Sequence, residues 1–304
     1  MAHQEYLMHG LLAVSALHYG HTNPSDKETY SLLSARHQAL ALNWFSGQVH
    51  KNINEDDNYN AQIFLGSIVF IFPVFAVAEA GREGRLVATH DVVQAFVLLK
   101  GEFTPPSCIA ELTDGRGGAG VKSILDTPPT SQWAAGGVDL AALIKAFDVP
   151  ADVDQPAGVA AAGGEFVRQL ETTARGAVRV IAAEREDPAE LTVQAVCEAA
   201  VEALRETYAR MAVPGRILAD GIWLWPLLLP EAFVSLIAEG HPAALVVLAH
   251  FAALMRCFEV YWWSKGWSES VVDMIVARLE ARAFAWVEWP VTCVRNGIDV
   301  RTLA

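Results

Sequence analysis

Apolar residues recur at intervals of three and four positions along the N-terminal third of the chain. This spacing places them on one side of an α-helix, whereas a half-buried strand would alternate at every second position. Four helices are therefore predicted here. The first ends near Gly20, the second runs from Pro24 to Val49, the third is very apolar and kinked at Pro73, and the fourth ends at Gly101.

The helical pattern returns in the C-terminal half after a loop-rich insert. Between Glu102 and Gly164 the chain is rich in glycine and proline, with one short helix predicted in VDLAALIKAF. Further helices are predicted to resume near Glu165 and to cover residues 188–211, 242–263, 268–279 and 284–296. Because no segment alternates as a strand does, the predicted fold is all-α, with residues 1–304 forming one helical domain.

The net charge and the cysteine content indicate which binding partners and which cellular compartment to expect. A formal net charge of -13, without any dense Lys/Arg block, argues against direct nucleic-acid binding. The four cysteines are scattered and predict neither a zinc module nor a disulfide framework. The N-terminus lacks the basic region of a signal peptide. We therefore expect an intracellular, cytoplasmic protein, or a nuclear one if the chain is part of a transcriptional regulator.

One segment has the apolar character of a membrane span. The residues between Asp57 and Glu79 carry no charge, and the stretch is long enough to cross a bilayer. Its beginning, NYNAQ, is polar, and Pro73 interrupts it. These features favour a buried core helix over a membrane helix, so no membrane span is predicted.

Three motifs resemble phosphate-binding, metal-binding or catalytic sites, but structural roles explain them better. GRGGAGVKS lacks the GK[ST] order and the preceding strand of a phosphate loop. His18 and His21, with His9 nearby, would need further ligands to hold a metal. His90 and Asp91 form an adjacent acid–base pair, but capping or surface roles are commoner for such pairs. No metal and no cofactor is predicted.

A polar residue within an apolar run gives the main candidate for a site. The run HPAALVVLAHFAALMRCFEVYWWSKGW places His250 among apolar residues and ends in aromatic ones. Aromatic residues concentrate in this region: Trp223, Trp225, Tyr261, Trp262, Trp263, Trp267, Trp286 and Trp289. Core packing explains such residues, and so does a cavity for a bulky apolar ligand with one polar anchor. On the second hypothesis His250 and then Tyr261 are the candidate catalytic residues. The candidate ligand-binding residues are Phe70, Phe72, Phe75, Trp223, Leu254 and Trp262.

A family likeness follows from blocks spread between Tyr6 and Pro290. YLMHGLLAVSALHYGHTNP, SARHQALAL, the apolar third helix, the run ending in WWSKGW, and WVEWP appear in this order. Together they resemble the C-terminal effector domain of fungal zinc-cluster transcription factors of the sterol-uptake-control type. The resemblance implies an all-helical domain with a hydrophobic pocket, which in the sterol regulators binds ergosterol and holds the factor inactive. It also implies a homodimer.

The chain departs from that family in one respect. The regulators carry an N-terminal zinc cluster built from six cysteines, and four scattered cysteines cannot form it. We therefore expect a stand-alone pocket protein in secondary metabolism, which binds a terpenoid, sterol or polyketide-like molecule and orients it for a pericyclic ring closure such as a Diels–Alder reaction. A ligand-sensing regulatory domain and a non-catalytic carrier or dimerisation module remain the alternatives.

Overall fold

The computed structural model describes residues 5–48, 56–103, 164–183, 188–211 and 222–301. Helices account for 84% of this part of the chain and no strand occurs in it, which confirms the all-α fold class. Most of the insert predicted over 102–164, including its short helix, lies outside the described residues. The chain divides into two compact units, and a single domain over residues 1–304 stays a prediction.

The first unit contains an antiparallel pair of helices. Helix α1 spans Glu5–Thr22 and α2 spans Lys27–Gln48, joined by a short 3-10 turn at Pro24–Asp26. The Ser34 hydroxyl donates to the carbonyl oxygen of Ala13 over 2.8 Å, and the pair packs along its length. Helix α1 ends two residues beyond the predicted Gly20. Helix α2 starts three residues after the predicted Pro24, because the NPSD tract forms the 3-10 turn, with Pro24 at its first position.

Several large apolar side chains of this unit are exposed. Leu32 is 69% exposed, and Leu40 and Leu12 are each about two-fifths exposed. The sequence pattern predicts Leu32, Leu33 and Leu40 on the apolar side of α2, but these residues are exposed. The buried residues that the structure describes in this helix are Ser34 and Ala41. The predicted homodimer stays a prediction.

Two helices are shared between the units. Helix α3 spans Asp56–Arg82, with Pro73 inside it, and α4 spans Thr89–Phe103. The part of α3 from Phe75 onward, and α4 up to Phe96, belong to the second unit.

The second unit is built around one fully buried helix. Its elements are α5 (Glu165–Gln169), a π turn (Leu170–Ala174), α6 (Arg175–Ala183), α7 (Pro188–Met211), α8 (Leu224–Leu228), α9 (Glu231–Glu239), α10 (Pro242–Met255), α11 (Trp267–Arg278) and α12 (Glu288–Arg295). Every residue of α10 from Ala243 to Met255 is buried, and α6, α7, α9, α11 and α12 pack against it. A helix that is apolar all round is stable only in such a position.

Two boundaries in this region differ from the sequence prediction. The helix predicted over 242–263 ends at Met255 and continues only as a 3-10 turn at Arg256–Phe258, so YWWSKG forms a loop. Helix α9 was not predicted. A 3-10 turn at Ala281–Trp286 lies where the last predicted helix was expected to start, and α12 begins at Glu288.

A close approach of two helices requires glycine at Gly81. A Cβ atom at Gly81 would lie 2.1 Å from the hydroxyl oxygen of Ser270 in α11. The absence of a side chain there lets the C-terminal half of α3 pack against the start of α11.

No described helix is by itself long and apolar enough to cross a bilayer. Among the described helices, the pair Glu231–Glu239 and Pro242–Phe258 together has the length and composition of a membrane span, but the two helices are bent by 102° relative to each other. The intracellular location stays a prediction.

Candidate functional site

Six of the eight predicted site residues belong to the second unit. Phe70 and Phe72 lie on the part of α3 that belongs to the first unit. The others are Phe75, Trp223, His250, Leu254, Tyr261 and Trp262. His250 and Leu254 lie one turn apart on α10, and both are fully buried.

His250 is the only polar residue of α10. Its Nδ1 atom lies 2.9 Å from the carbonyl oxygen of Val246, one turn earlier in the helix. Its Nε2 atom is buried and has no hydrogen-bond partner among the described residues. The imidazole ring stacks on Trp289, with ring centroids 6.0 Å apart. Burial lowers the pKa of His250 to about 4, so the ring is neutral at neutral pH.

The most deeply buried aromatic residues form a packed cluster. Trp225 stacks on Phe251 with ring centroids 4.3 Å apart, and its indole N–H donates to the carbonyl oxygen of Ala200 over 2.9 Å. Trp223 contacts Phe251 at 6.4 Å and Trp267 at 6.1 Å, both edge to face. These contacts favour the core-packing explanation for Trp225 and Trp267, because ring pairs at such distances fill the space between them.

The aromatic residues of the loop after α10 are only half-buried. Tyr261 and Trp263 stack almost parallel, with centroids 5.3 Å apart, and Trp263 lies 6.4 Å from Trp223. Trp262 contacts Phe75 of α3 edge to face at 5.3 Å. The loop therefore brings Tyr261, Trp262, Trp223 and Phe75 to one region, while His250 lies on α10 against Trp289.

A buried carboxylate that the sequence analysis missed holds this loop in place. The Glu259 side chain is 1% exposed and pairs with Arg256 over 2.8 Å. The backbone N–H groups of Gly266 and Ser268, at the start of α11, donate to its two oxygens. Glu259 thus caps α11 from outside that helix, and Gly266 adopts the positive φ of 89° that this arrangement requires.

No family model matches the chain, and no curated protein or solved structure is significantly similar to it. The likeness to the effector domains of zinc-cluster regulators therefore stays a prediction.

Two of the described cysteines, Cys257 and Cys293, are not suited to nucleophilic chemistry at neutral pH. Burial raises the pKa of Cys257 to about 12 and that of Cys293 to about 11. Only the thiolate is a strong nucleophile, and both groups hold their protons. Among the described residues, no group of three or more His, Cys, Asp or Glu side chains is placed to hold a metal ion. His9 instead contacts His37, with their Nδ1 atoms 3.0 Å apart.

The buried imidazole predicts a specific loss of stability in acid. The pKa of His250 is about 4 in the folded protein against an ordinary value of 6.5. As the pH falls below about 6.5, the unfolded chain takes up a proton that the folded protein refuses, so stability falls until the pH nears 4. Between pH 7 and pH 5 the loss due to this group is about 2 kcal/mol.

Urea denaturation of the wild type and of His250→Phe at both pH values measures this loss. We expect the wild type to lose more stability on acidification than the variant, by about 2 kcal/mol. Equal losses in the two proteins would show that His250 is hydrated or already protonated in the folded state.

Proposed function

We propose that the second unit binds a bulky apolar ligand of the terpenoid, sterol or polyketide type. The observation that carries this proposal is the buried, unpaired Nε2 atom of His250. An unsatisfied buried acceptor costs about 1–3 kcal/mol, and a ligand that donates a hydrogen bond to it removes that cost. The half-buried Trp262 and its neighbours Phe75 and Tyr261 supply aromatic surface of the kind that lines ligand pockets.

The proposed reaction is a cofactor-independent ring closure in which the protein orients the substrate. A pericyclic step forms its new bonds within the substrate and needs no protein nucleophile, so a held conformer is sufficient to lower the barrier. His250 acts as the anchor. Tyr261 is the candidate donor toward a substrate carbonyl, because its hydroxyl can donate. Nε2 of His250 has no proton to donate, since Nδ1 of the neutral ring carries it in the hydrogen bond to the Val246 carbonyl oxygen.

Fluorescence titration of the purified chain with a panel of apolar probes tests the binding. The panel contains cholestanol, geranylgeraniol and a linear polyene ester. We expect saturable quenching of tryptophan emission by at least one probe, together with a rise in the melting temperature. Trp262→Leu should weaken that binding about tenfold, because a half-buried indole contributes a large contact area.

Phe284→Leu serves as the matched control, since Phe284 is an aromatic residue of the same unit that is 38% exposed and was not predicted to contact ligand. It should bind like the wild type. The proposal fails if no probe binds saturably, or if both substitutions weaken binding equally. Binding of the linear polyene ester without any cyclised product in chromatography would support the alternative function, a ligand-sensing regulatory domain, because this probe alone carries the conjugated alkenes that a pericyclic step requires.

A further inference from the structure

The hydrogen bond of His250 within α10 fixes which of its ring nitrogens carries the proton. Nδ1 lies 2.9 Å from the Val246 carbonyl oxygen. A carbonyl oxygen only accepts hydrogen bonds, so Nδ1 must be the donor. In the neutral ring Nε2 then has no proton and presents a lone pair.

Nothing on the same helix can satisfy that lone pair. The other residues of α10 from Ala243 to Met255 are all apolar, and their backbone N–H groups belong to the helix. The ring that stacks on His250, Trp289, lies almost parallel to it, at an interplanar angle of 23°. Since hydrogen bonds to an imidazole nitrogen lie in the plane of the ring, an occupant must approach Nε2 from the edge.

We propose that the ligand of this site is an apolar alcohol, whose hydroxyl group donates a hydrogen bond to Nε2 of His250. This inference rests on the proposed function and adds the polar group that the ligand must carry. It also excludes one role for His250, the donation of a hydrogen bond to a substrate carbonyl.

The same geometry discriminates against ketones and aldehydes. A carbonyl oxygen placed at Nε2 would bring two acceptors together, with no proton between them. A buried site built for a hydrogen bond rejects an analogue that lacks the matching group much more strongly than an apolar pocket rejects a missing methylene. The preference for an alcohol over the matching carbonyl compound should therefore appear with any ligand carbon skeleton that fits the site.

Matched pairs of alcohol and carbonyl compounds test the inference. Cholestanol is compared with cholestanone, and geranylgeraniol with geranylgeranial, each by tryptophan fluorescence of the full chain. For the pair that binds, the wild type should prefer the alcohol by about tenfold or more. In His250→Phe the two affinities should become equal, and the carbonyl compound should still bind, which shows that the variant is folded.

His90→Phe is the matched control, because His90 is an exposed histidine of the same unit, and its Nε2 atom lies 3.2 Å from a carboxylate oxygen of Asp91. It should keep the full preference for the alcohol. Nitrogen NMR of the histidine rings gives a second measurement that needs no ligand. We expect the Nδ1-protonated form of His250, with an Nε2 resonance that shifts on addition of the alcohol and not of the carbonyl compound.

The outcomes separate this inference from the function on which it rests. If no member of either pair binds, the proposed function fails and the inference fails with it. If both members bind equally well to the wild type, a pocket exists but the alcohol assignment is wrong, and Nε2 holds a buried water only. An Nε2-protonated ring in the NMR spectrum would overturn the assignment by itself.

Discussion

Replacing Glu259 with alanine is expected to destabilise the protein by about 4 kcal/mol, because removal of one partner from a buried ion pair leaves the other groups without compensation. The side chain is 1% exposed and holds Arg256 together with two backbone N–H groups at the start of α11. Its loss would release the loop that carries Tyr261, Trp262 and Trp263. Urea denaturation at neutral pH measures the effect.

Two further substitutions separate the contribution of Glu259 as a cap of α11 from its contribution as a charge paired with Arg256. Glu259→Gln keeps the shape and one acceptor, and should cost about 2 kcal/mol. Glu269→Ala removes the other carboxylate that contacts Arg256, at 3.1 Å, but that side chain is 52% exposed. An exposed pair of this kind contributes about 0.5 kcal/mol. Equal effects of Glu259→Ala and Glu269→Ala would show that Glu259 acts only as a surface charge.

Trp225→Ala should have a similarly large effect, about 4 kcal/mol, because it removes a fully buried indole from a close-packed cluster and leaves a cavity. Trp225 is fully buried and lies against Phe251, Phe96 and Phe233, with centroids 4.3, 6.1 and 5.9 Å away. Its indole N–H is also paired with the Ala200 carbonyl. Trp225→Phe keeps most of the ring contacts and should cost about half as much.

This substitution also distinguishes a packed core from a ligand cavity at this position. The exposed Phe284 provides the comparison, and Phe284→Ala should change the stability by no more than about 0.5 kcal/mol. If Trp225→Ala costs as little as that, the ring lines an open space and does not fill a core. Measurement of the free energy of unfolding by urea denaturation decides between a packed core and a ligand cavity at Trp225.

The sequence was sufficient to predict the fold class and most of the helices. Apolar residues spaced three and four positions apart indicate one face of a helix. The tracts NPSD and Asp187–Pro188 indicate helix starts, because a capping residue is followed directly by a proline at the first helical position. These signals depend only on neighbours in the chain, so α2 and α7 begin close to where the sequence places them. Helix α9 was missed because its nine residues are too few to show a clear spacing of three and four, although Gly240 and Pro242 separate it from the apolar run that follows.

The end of α10 could not be predicted in the same way. The residues after Met255 continue the helical pattern, and nothing local stops the helix there. The chain turns because Glu259 reaches Gly266 and Ser268, which are seven and nine positions further along the sequence. A cap supplied from such a distance leaves no fixed spacing in the sequence, so the aromatic residues were assigned to a helix and lie in a loop.

The candidate site shows the same division. The sequence by itself determined that His250 is a polar residue in an apolar helix and that aromatic residues cluster near it, because composition and periodicity record what a segment must bury. Only the tertiary structure decided which ring nitrogen is paired, which indoles fill the core, and which stay half-buried in the loop. The burial of the indoles depends on contacts between side chains on different helices, which form only when the helices pack together. The ring nitrogen that is paired depends on how the His250 ring is oriented toward the Val246 carbonyl of its own helix and against Trp289 of α12.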